Sequence, residues 1–191
     1  MIADEQLKKI VPSSYLNDRY NFLTELNKIP ARYGITNAVL PSYIAQIAHE
    51  SGYFHYLIEY GGINYFKKYD NRKDLGNTHP GDGYKYRGMG YIMVTGLYNY
   101  TKFKEWIQSE IKSHPEIKEW IGDEIDVVEH PELVGKPHLG MVAALWFWTT
   151  HGLNKFAITG DFKGLTRKIN PGLLGYADRL TIYNKAKEIL K

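Results

Sequence analysis

Hydrophobic residues recur at helical spacing along most of the chain, and one such helix ends at a glutamate. Four apolar positions fall within about 100° of helical arc, which predicts a buried face; they are Leu40, Ile44, Ile47 and Ala48. Glu50 lies at the edge of this face, and Ser51-Gly52 predicts the helix end, because glycine readily adopts the left-handed conformation that closes a last turn. Partial burial would favour a protonated carboxyl group, so Glu50 is a candidate general acid. An ordinary surface glutamate at a helix end is the alternative.

The same spacing predicts further helices on both sides of a long glycine-rich segment. A serine N-cap at Ser13 or Ser14 would start the first helix. That helix would continue through Leu26, and a second would run from about Thr36 or Pro41 to Glu50. Further helical segments are predicted at about 97–111, 117–121, 139–150, 161–169 and 176–190. Residues 52–94 carry repeated glycines with little helical periodicity, and residues 86–94 predict a short strand or hairpin. The predicted architecture is mainly α, with two groups of helices, and a functional site is expected between them.

Composition narrows the class of protein. The length of 191 residues predicts one domain, residues 1–191, and the absence of cysteine excludes disulfides, thiolate metal sites and thiol nucleophiles. The apolar stretch 141–148 is too short to span a bilayer, and the start shows no signal peptide. A net charge of +3 is too weak to indicate nucleic-acid binding. We therefore expect a monomer made in a cytoplasm, with no membrane span. The 16 tyrosines suit stacking on sugars, although most will be core.

Several motifs that would indicate a cofactor or a different nucleophile fail at specific positions. Tyr53 stands where the zinc-protease motif H-E-x-x-H needs its second histidine. Arg72 and Leu75 stand where a calcium loop needs an oxygen ligand and a glycine. Gly88 and Gly90 lack the third glycine of a dinucleotide fingerprint, and no G-x-S-x-G elbow is present. We expect no nucleotide, metal or redox cofactor, and carboxylate chemistry is what remains.

Glu59 is the candidate partner of Glu50. On one unbroken helix, two residues nine positions apart would point in opposite directions. The predicted turn at Ser51-Gly52 would let Glu59 face Glu50 across a groove. One apolar-flanked carboxyl and one in a polar loop is the arrangement that glycoside hydrolysis requires. Because the chain has 21 acidic residues and so many possible pairs, the pairing alone is weak evidence for a catalytic site.

A series of motifs runs in order from about residue 16 to residue 185. They are Ala48–Gly52, Glu59, Leu75–Gly83, Tyr86–Gly96, Tyr98–Tyr100, His130–Leu133, Ala144–Trp148, Gly152–Asn154, Gly160–Phe162, Thr166–Asn170 and Asp178–Arg179. Together they resemble the chitinase-type family 19 glycoside hydrolases, and most closely their short bacterial and phage endolysin branch. The resemblance implies a lysozyme-like (α+β), mainly helical fold with two lobes, a cleft between them, and a glycine-rich segment carrying the hairpin.

The resemblance also implies an activity and a set of roles. The implied reaction is hydrolysis of β-1,4 bonds beside N-acetylglucosamine with inversion at the anomeric carbon. Glu50 matches the general acid, Glu59 the general base, and Thr95 a hydroxyl residue that helps hold the attacking water. An inverting site needs its carboxyls about 6.5–9.5 Å apart. The positions that match substrate-binding or carboxylate-orienting groups are His49, Tyr86, Arg87, Met93, Asn99, Asn170 and Arg179.

Each role has a structural alternative. Thr95 could cap the following helix, Asn170 could make its turn, and Arg179 could form a surface ion pair. Two departures from the family pattern bear on substrate: Met93 replaces a usual glutamine, and Met89 replaces a frequent arginine.

Three functions stay open. The first is a peptidoglycan hydrolase, either a phage endolysin or a virion-associated lysin. It would act on the cell wall or in the periplasm and would depend on a holin or virion components for delivery. The second is a chitinase acting on chitin or chito-oligosaccharides. The third is a non-catalytic glycan-binding or virion structural domain, which the two methionine departures motivate.

Overall fold

Helices account for most of the chain. The computed structural model describes residues 2–122 and 126–191. The α-helices are α1 (Asp4–Ile10), α2 (Leu16–Leu26), α3 (Leu40–Glu50), α4 (Ile63–Phe66), α5 (Asp82–Lys85), α6 (Leu97–Ser113), α7 (Lys118–Ile121), α8 (Pro137–Thr150), α9 (Leu153–Thr159), α10 (Phe162–Ile169) and α11 (Tyr176–Ile189). Short 3₁₀ helices lie at Ala31–Tyr33, Lys67–Tyr69, Lys73–Leu75, Pro115–Ile117 and Pro131–Gly135. Within the described residues, none of these helices has both the length and the apolar character needed to cross a membrane.

The chain forms two compact units. The first unit comprises Met1–His55 and Phe147–Lys191, and the second comprises Tyr56–Trp146. The prediction of a single domain over residues 1–191 stays a prediction.

The first unit is organised around α3. Every residue of α3 from Leu40 to Ala48 is buried, which confirms the predicted apolar stripe and extends burial around the whole helix. The helix packs mainly against α11, while α1 packs on α11 and α2. Pro41 lies in the first turn of α3, where a missing backbone N–H costs no hydrogen bond. Only the last two residues of the helix, His49 and Glu50, are partly exposed.

The second unit combines the long helix α6 with a series of short turns. Tyr100, Phe103 and Ile107 form the buried face of α6, as its helical spacing predicts. The glycine-rich segment is held by carboxylates: Asp70 accepts hydrogen bonds from the backbone of Gly81 and Gly83, at 3.1 and 2.8 Å. This segment is therefore ordered by local hydrogen bonds rather than by a sheet.

The predicted start of the first helix was wrong. The sequence placed a serine cap at Ser13 or Ser14, but α2 follows Tyr15, and the Ser14 hydroxyl donates to the carbonyl of Val11. An additional helix, α1, precedes it. Its amphipathic pattern spans only seven residues, too short for the periodicity to stand out. Other predicted ends agree closely: Asp161 caps α10 by accepting from Gly164 N at 2.8 Å.

The predicted strand or hairpin at residues 86–94 is reduced to single bridges. Met89 and Val94 exchange two backbone hydrogen bonds, of 3.1 and 2.8 Å, around the intervening four residues. Met89 also pairs with Ile58. Across residues 2–122 and 126–191 these isolated bridges do not extend into strands, so the fold is mainly α.

Candidate active site

Glu50 is held at the exact point where α3 ends. Gly52 has a φ of 54°, which confirms the predicted left-handed stop. Tyr53 and Phe54 also have positive φ, of 60° and 75°, and each costs about 1–3 kcal/mol in that conformation. The Phe54 ring stacks on Phe22 at 3.9 Å between centroids, and this burial offsets the strain. The turn therefore redirects the chain sharply just after the carboxylate.

Arg179 is the direct partner of Glu50. Its side chain is 1% exposed, whereas that of Glu50 is 20% exposed. The guanidinium donates to Glu50 Oε1, and its other nitrogens donate to Gln46 Oε1 at 2.6 Å and to the carbonyl of Leu174 at 3.3 Å. The surface ion pair considered for Arg179 is therefore wrong. Its predicted role of orienting a carboxylate is what the geometry supports, because the buried guanidinium fixes the position of Glu50 Oε1.

Gln46 extends this network to α10. Its amide donates to Thr166 Oγ1 at 2.8 Å, and that hydroxyl donates to the carbonyl of Phe162. Both Gln46 and Thr166 are fully buried, so each must have its polar atoms satisfied. Sequence reasoning missed Gln46. The available signal was its position four residues before Glu50, a lone amide on an apolar helix face.

His49 is fixed by Asp178, the neighbour of Arg179. The carboxylate of Asp178 lies 2.6 Å from His49 Nδ1 and accepts from the Tyr53 hydroxyl at 3.0 Å. That hydrogen bond raises the pKa of Tyr53, with burial adding to the effect. A Cβ at Gly175 would lie 2.0 Å from the His49 ring, and Gly175 has a φ of +69°. Any side chain at position 175 would therefore displace the ring of His49, which is predicted to bind substrate.

Asn170 makes its turn, as one of the two predictions for it proposed. It is the C-cap of α10, and its Oδ1 accepts from Leu174 N at 3.3 Å. Leu174 in turn supplies a carbonyl to Arg179. The observed contacts of Asn170 therefore support the position of Arg179, and a direct contact between Asn170 and substrate stays a prediction.

Glu59, in the second unit, has a hydrogen-bond donor on each carboxylate oxygen. Tyr69 OH donates to Oε1 at 3.1 Å, and Gly88 N donates to Oε2 at 3.2 Å. The backbone N–H of Glu59 donates in turn to the carbonyl of Gly88 at 2.8 Å. The two donors therefore orient both oxygens of the Glu59 carboxylate.

Thr95 and Met93 lie beside Glu59. A Cβ built on Gly88 would be 3.1 Å from Glu59 Oε2 and 3.3 Å from both Thr95 Oγ1 and Met93 Cβ. The helix-capping alternative for Thr95 is wrong, because Gly96 is the N-cap of α6 and the Thr95 hydroxyl donates to the carbonyl of Met93 at 2.9 Å. The hydroxyl oxygen keeps acceptor capacity for water. Glu59, Thr95 and Met93 therefore lie close together around Gly88, and the roles implied for them stay predictions.

Asn99 supports Thr95 from the first turn of α6. Its amide donates to the carbonyl of Thr95 at 2.8 Å. Since this bond uses one N–H of the amide, the remaining N–H and the oxygen are what a substrate could engage. The substrate contact predicted for Asn99 is not tested by these bonds.

Two predicted substrate-binding residues take structural roles. Tyr86 is 5% exposed and its hydroxyl donates to the carbonyl of Val128 at 3.2 Å. Its ring and hydroxyl are thus used in packing, and a contact between Tyr86 and substrate stays a prediction. Arg87 is half-buried, donates to the carbonyl of Tyr84 at 2.7 Å and lies 4.2 Å from the centre of that ring. Its guanidinium is thus directed by Tyr84 rather than by a carboxylate.

The predicted site residues fall into two sets. His49, Glu50, Asn170 and Arg179 are connected within the first unit, and Glu59, Met93, Thr95 and Asn99 within the second. The prediction that Glu50 and Glu59 serve one glycosidic bond stays a prediction.

Arg179 should be important for stability as well as position. Arg179→Met leaves Gln46 and Glu50 without their buried donor, and breaking a buried ion pair costs about 3–5 kcal/mol. We expect a loss of about 3 kcal/mol in the free energy of unfolding, measured by urea denaturation. Arg167→Met, at an exposed position of α10, is the control. Equal midpoints for the two variants would show that the buried network adds nothing.

Gly88→Ala should impair the site while leaving the fold intact. The added methyl would lie against Glu59 Oε2 and Thr95 Oγ1, so one of them must shift by a few tenths of an ångström. We expect hydrolysis to fall about tenfold or more, since small misplacements of reacting groups are costly. The unfolding free energy should fall by only about 1 kcal/mol.

Gly62→Ala is the matched control, because a Cβ at Gly62 would meet nothing within 4 Å. Both variants are assayed for glycan hydrolysis and for thermal unfolding. If Gly88→Ala and Gly62→Ala were equally active, the space around Gly88 would not belong to a reaction site.

Comparison with known proteins identifies the fold of this chain. No family model matches the chain. A curated protein of Haemophilus influenzae, a glycosyl hydrolase family 19 domain-containing protein, is 32% identical over 115 residues. Chitinase C of Streptomyces griseus HUT6037 superposes with a TM-score of 0.74 over 99% of this chain and 92% of that one, at 18% identity. The chain has the family 19 chitinase fold.

A second solved structure, described as a bacterial family 19 chitinase, superposes on this chain with a TM-score of 0.72. It covers 99% of this chain and 94% of that one, at 18% identity. The match to the Haemophilus protein covers 60% of this chain and 48% of that protein. The chain therefore spans about half the length of the curated relative it matches. These comparisons confirm the predicted lysozyme-like, mainly helical fold.

Proposed function

We propose that this chain is a glycosidase that cleaves β-1,4 bonds of bacterial peptidoglycan next to N-acetylated sugars, with inversion. The observation that carries the proposal is the half-buried carboxyl of Glu50. Arg179 holds its Oε1, so its free oxygen can carry a proton. The carboxylate of Glu59 beside a hydroxyl, that of Thr95, supplies the second function that glycoside hydrolysis needs. The sequence relative and the fold support the same chemistry.

In the proposed reaction one carboxyl group acts as an acid and the other as a base. Glu50 gives its proton to the glycosidic oxygen as the bond from that oxygen to the anomeric carbon breaks. Glu59 takes a proton from a water molecule that attacks the same carbon from the opposite face, and Thr95 accepts the other water hydrogen bond. Two new hydroxyl groups result, and the new reducing end has the α configuration. No cofactor takes part in this scheme.

The biological role that we propose is that of a phage endolysin or virion-associated lysin. The resemblance of Ala48–Gly52 and Leu75–Gly83 to the short endolysin branch supports it. Such a protein acts on the cell wall, and a holin or virion components would deliver it there.

A chitinase is the second candidate, because both of the solved structures compared above are chitinases. The experiment is digestion of purified cell walls and of chitin in parallel, with wall turbidity and released reducing ends as readouts. Clearing of walls supports peptidoglycan as substrate, whereas reducing ends from chitin alone favour the chitinase. Mass spectrometry of the wall fragments then identifies which sugar carries the new reducing end. Wall binding without hydrolysis would instead support a non-catalytic domain.

A further inference from the structure

Tyr69 contacts the proposed base directly, and no sequence motif pointed to it. Its hydroxyl donates to Glu59 Oε1 at 3.1 Å, while Gly88 N donates to the other oxygen at 3.2 Å. The two donors come from separate segments of the second unit, the 3₁₀ helix Lys67–Tyr69 and the loop before Met89. Since each oxygen has its own donor, the plane of the Glu59 carboxylate is fixed by both.

Asn77 holds the backbone of Tyr69 in place. The fully buried amide of Asn77 donates to the carbonyl of Tyr69 at 2.9 Å and accepts from Leu97 N at 2.9 Å. It thereby ties Tyr69 to the first residue of α6. The Phe66 ring lies 6.1 Å from the Tyr69 ring. These contacts give Tyr69 a defined position without any help from a ligand.

The hydroxyl of Tyr69 is also in the right protonation state to donate. Burial raises its pKa, and the negative charge of Glu59 and the hydrogen bond to it raise it further. The positive charge of Lys68, whose Nζ lies 4.7 Å from the Tyr69 ring centre, and its hydrogen bond lower the pKa of Tyr69 in part. Arg72 also interacts electrostatically with Tyr69. Tyr69 therefore stays a neutral donor through the range in which a carboxylate base works.

We propose that Tyr69 is a positioning residue for Glu59, which orients its carboxylate and holds it in the ionised form ready to accept the proton of water. This inference rests on the proposed function of Glu59 as general base. Tyr69 acts through Glu59 and need not touch the substrate.

Tyr69→Phe removes the hydroxyl alone. We expect kcat/KM at neutral pH to fall about tenfold with little change in KM, because a hydrogen bond to a charged group is lost. The acidic limb of the pH profile should move to higher pH by roughly half to one unit, since the charged form loses a donor. Tyr98→Phe, at an exposed position of α6, should leave both quantities unchanged. An unmoved acidic limb in Tyr69→Phe would overturn the proposal.

Lys68→Met distinguishes the effect of the Tyr69 hydroxyl from the effect of the nearby positive charge. Lys68 is exposed, so salt screens its charge. Any effect of Lys68→Met on the acidic limb should therefore disappear in about 0.5 M salt, where the screening length is roughly half that at physiological ionic strength. The shift in Tyr69→Phe should persist in the same salt because it arises from a direct hydrogen bond. A shift in Tyr69→Phe that salt abolishes would show that general electrostatics, and not the hydroxyl, govern Glu59.

A spectroscopic titration tests the contact without catalysis. In protein carrying ring-labelled ¹³C-tyrosine, the Tyr69 resonance, assigned by its loss in Tyr69→Phe, should titrate at higher pH than that of the exposed Tyr60. Glu59→Gln should lower that titration midpoint, since it removes the neighbouring negative charge. An unchanged midpoint refutes the contact. If the titration behaves as expected but wild type hydrolyses no glycan, the proposed function fails while the contact stands.

Discussion

Glu50→Gln should lower the rate of glycan hydrolysis by about two to four orders of magnitude, the usual contribution of a positioned general acid. Glutamine has the shape of glutamic acid but cannot give up a proton to the leaving oxygen. The assay is the release of reducing ends from purified cell walls, with substrate binding measured separately by wall pull-down. Binding should be nearly unchanged, because the substitution removes the proton and not the surface.

The choice of glutamine matters because of Arg179. The amide oxygen of glutamine can still accept from the buried guanidinium, whereas Glu50→Ala would leave that charge without its partner and would destabilise the first unit. Glu188→Gln, at an exposed position of α11, is the matched control. Hydrolysis by Glu50→Gln at the wild-type rate would contradict the assignment of Glu50 as proton donor.

Local sequence patterns predicted those parts of the fold that depend on residues close together in the chain. The stripe of α3, the all-apolar α8 and the Asp161 cap of α10 depend on residues within a few positions of each other. The short α1 was missed because its burial comes from α2 and α11, which the sequence does not reveal as neighbours. The hairpin prediction at residues 86–94 failed to give strands since its pairing stops at Met89 and Val94.

The candidate site likewise combines residues that local patterns predict with contacts between distant residues that they do not. Glu50 could be found from helical spacing, and Thr95 and Arg179 from motifs, but the specific contacts within the site could not. Gln46 meets Arg179 across 133 residues, and Asp178 meets His49 across 129. Such long-range pairs leave no periodic trace in a single sequence. They are fixed by the packing of α3 on α11, which only the folded chain shows.

The backbone of Met93 has a role that does not depend on its side chain. It has a φ of 53°, a region that non-glycine residues seldom adopt, and its carbonyl accepts the Thr95 hydroxyl. The backbone of residue 93 thus positions Thr95 whatever side chain it bears. The replacement of a usual glutamine by methionine therefore leaves in place the backbone carbonyl that accepts the Thr95 hydroxyl.

Glu59→Ala should also cost about two to four orders of magnitude in hydrolysis, and it offers a test of the stereochemistry. Removing the carboxylate leaves no base to activate water, but a small anion that needs no deprotonation can take its place. Added azide should therefore restore part of the rate. It would form a bond to the anomeric carbon while Glu50 protonates the leaving oxygen and the glycosidic bond breaks. The product of an inverting site is an α-glycosyl azide, which NMR identifies.

The control is Glu129→Ala, whose side chain is 72% exposed in the second unit, and it should hydrolyse walls at the wild-type rate with no response to azide. A β-glycosyl azide from Glu59→Ala would contradict the inverting scheme, because it requires attack on an intermediate formed on the opposite face. Loss of activity without any azide product would place Glu59 in binding instead of in water activation. Because Gly88 and Tyr69 hold the carboxylate from two sides, azide should rescue Glu59→Ala but not Tyr69→Phe, whose carboxylate still occupies the space.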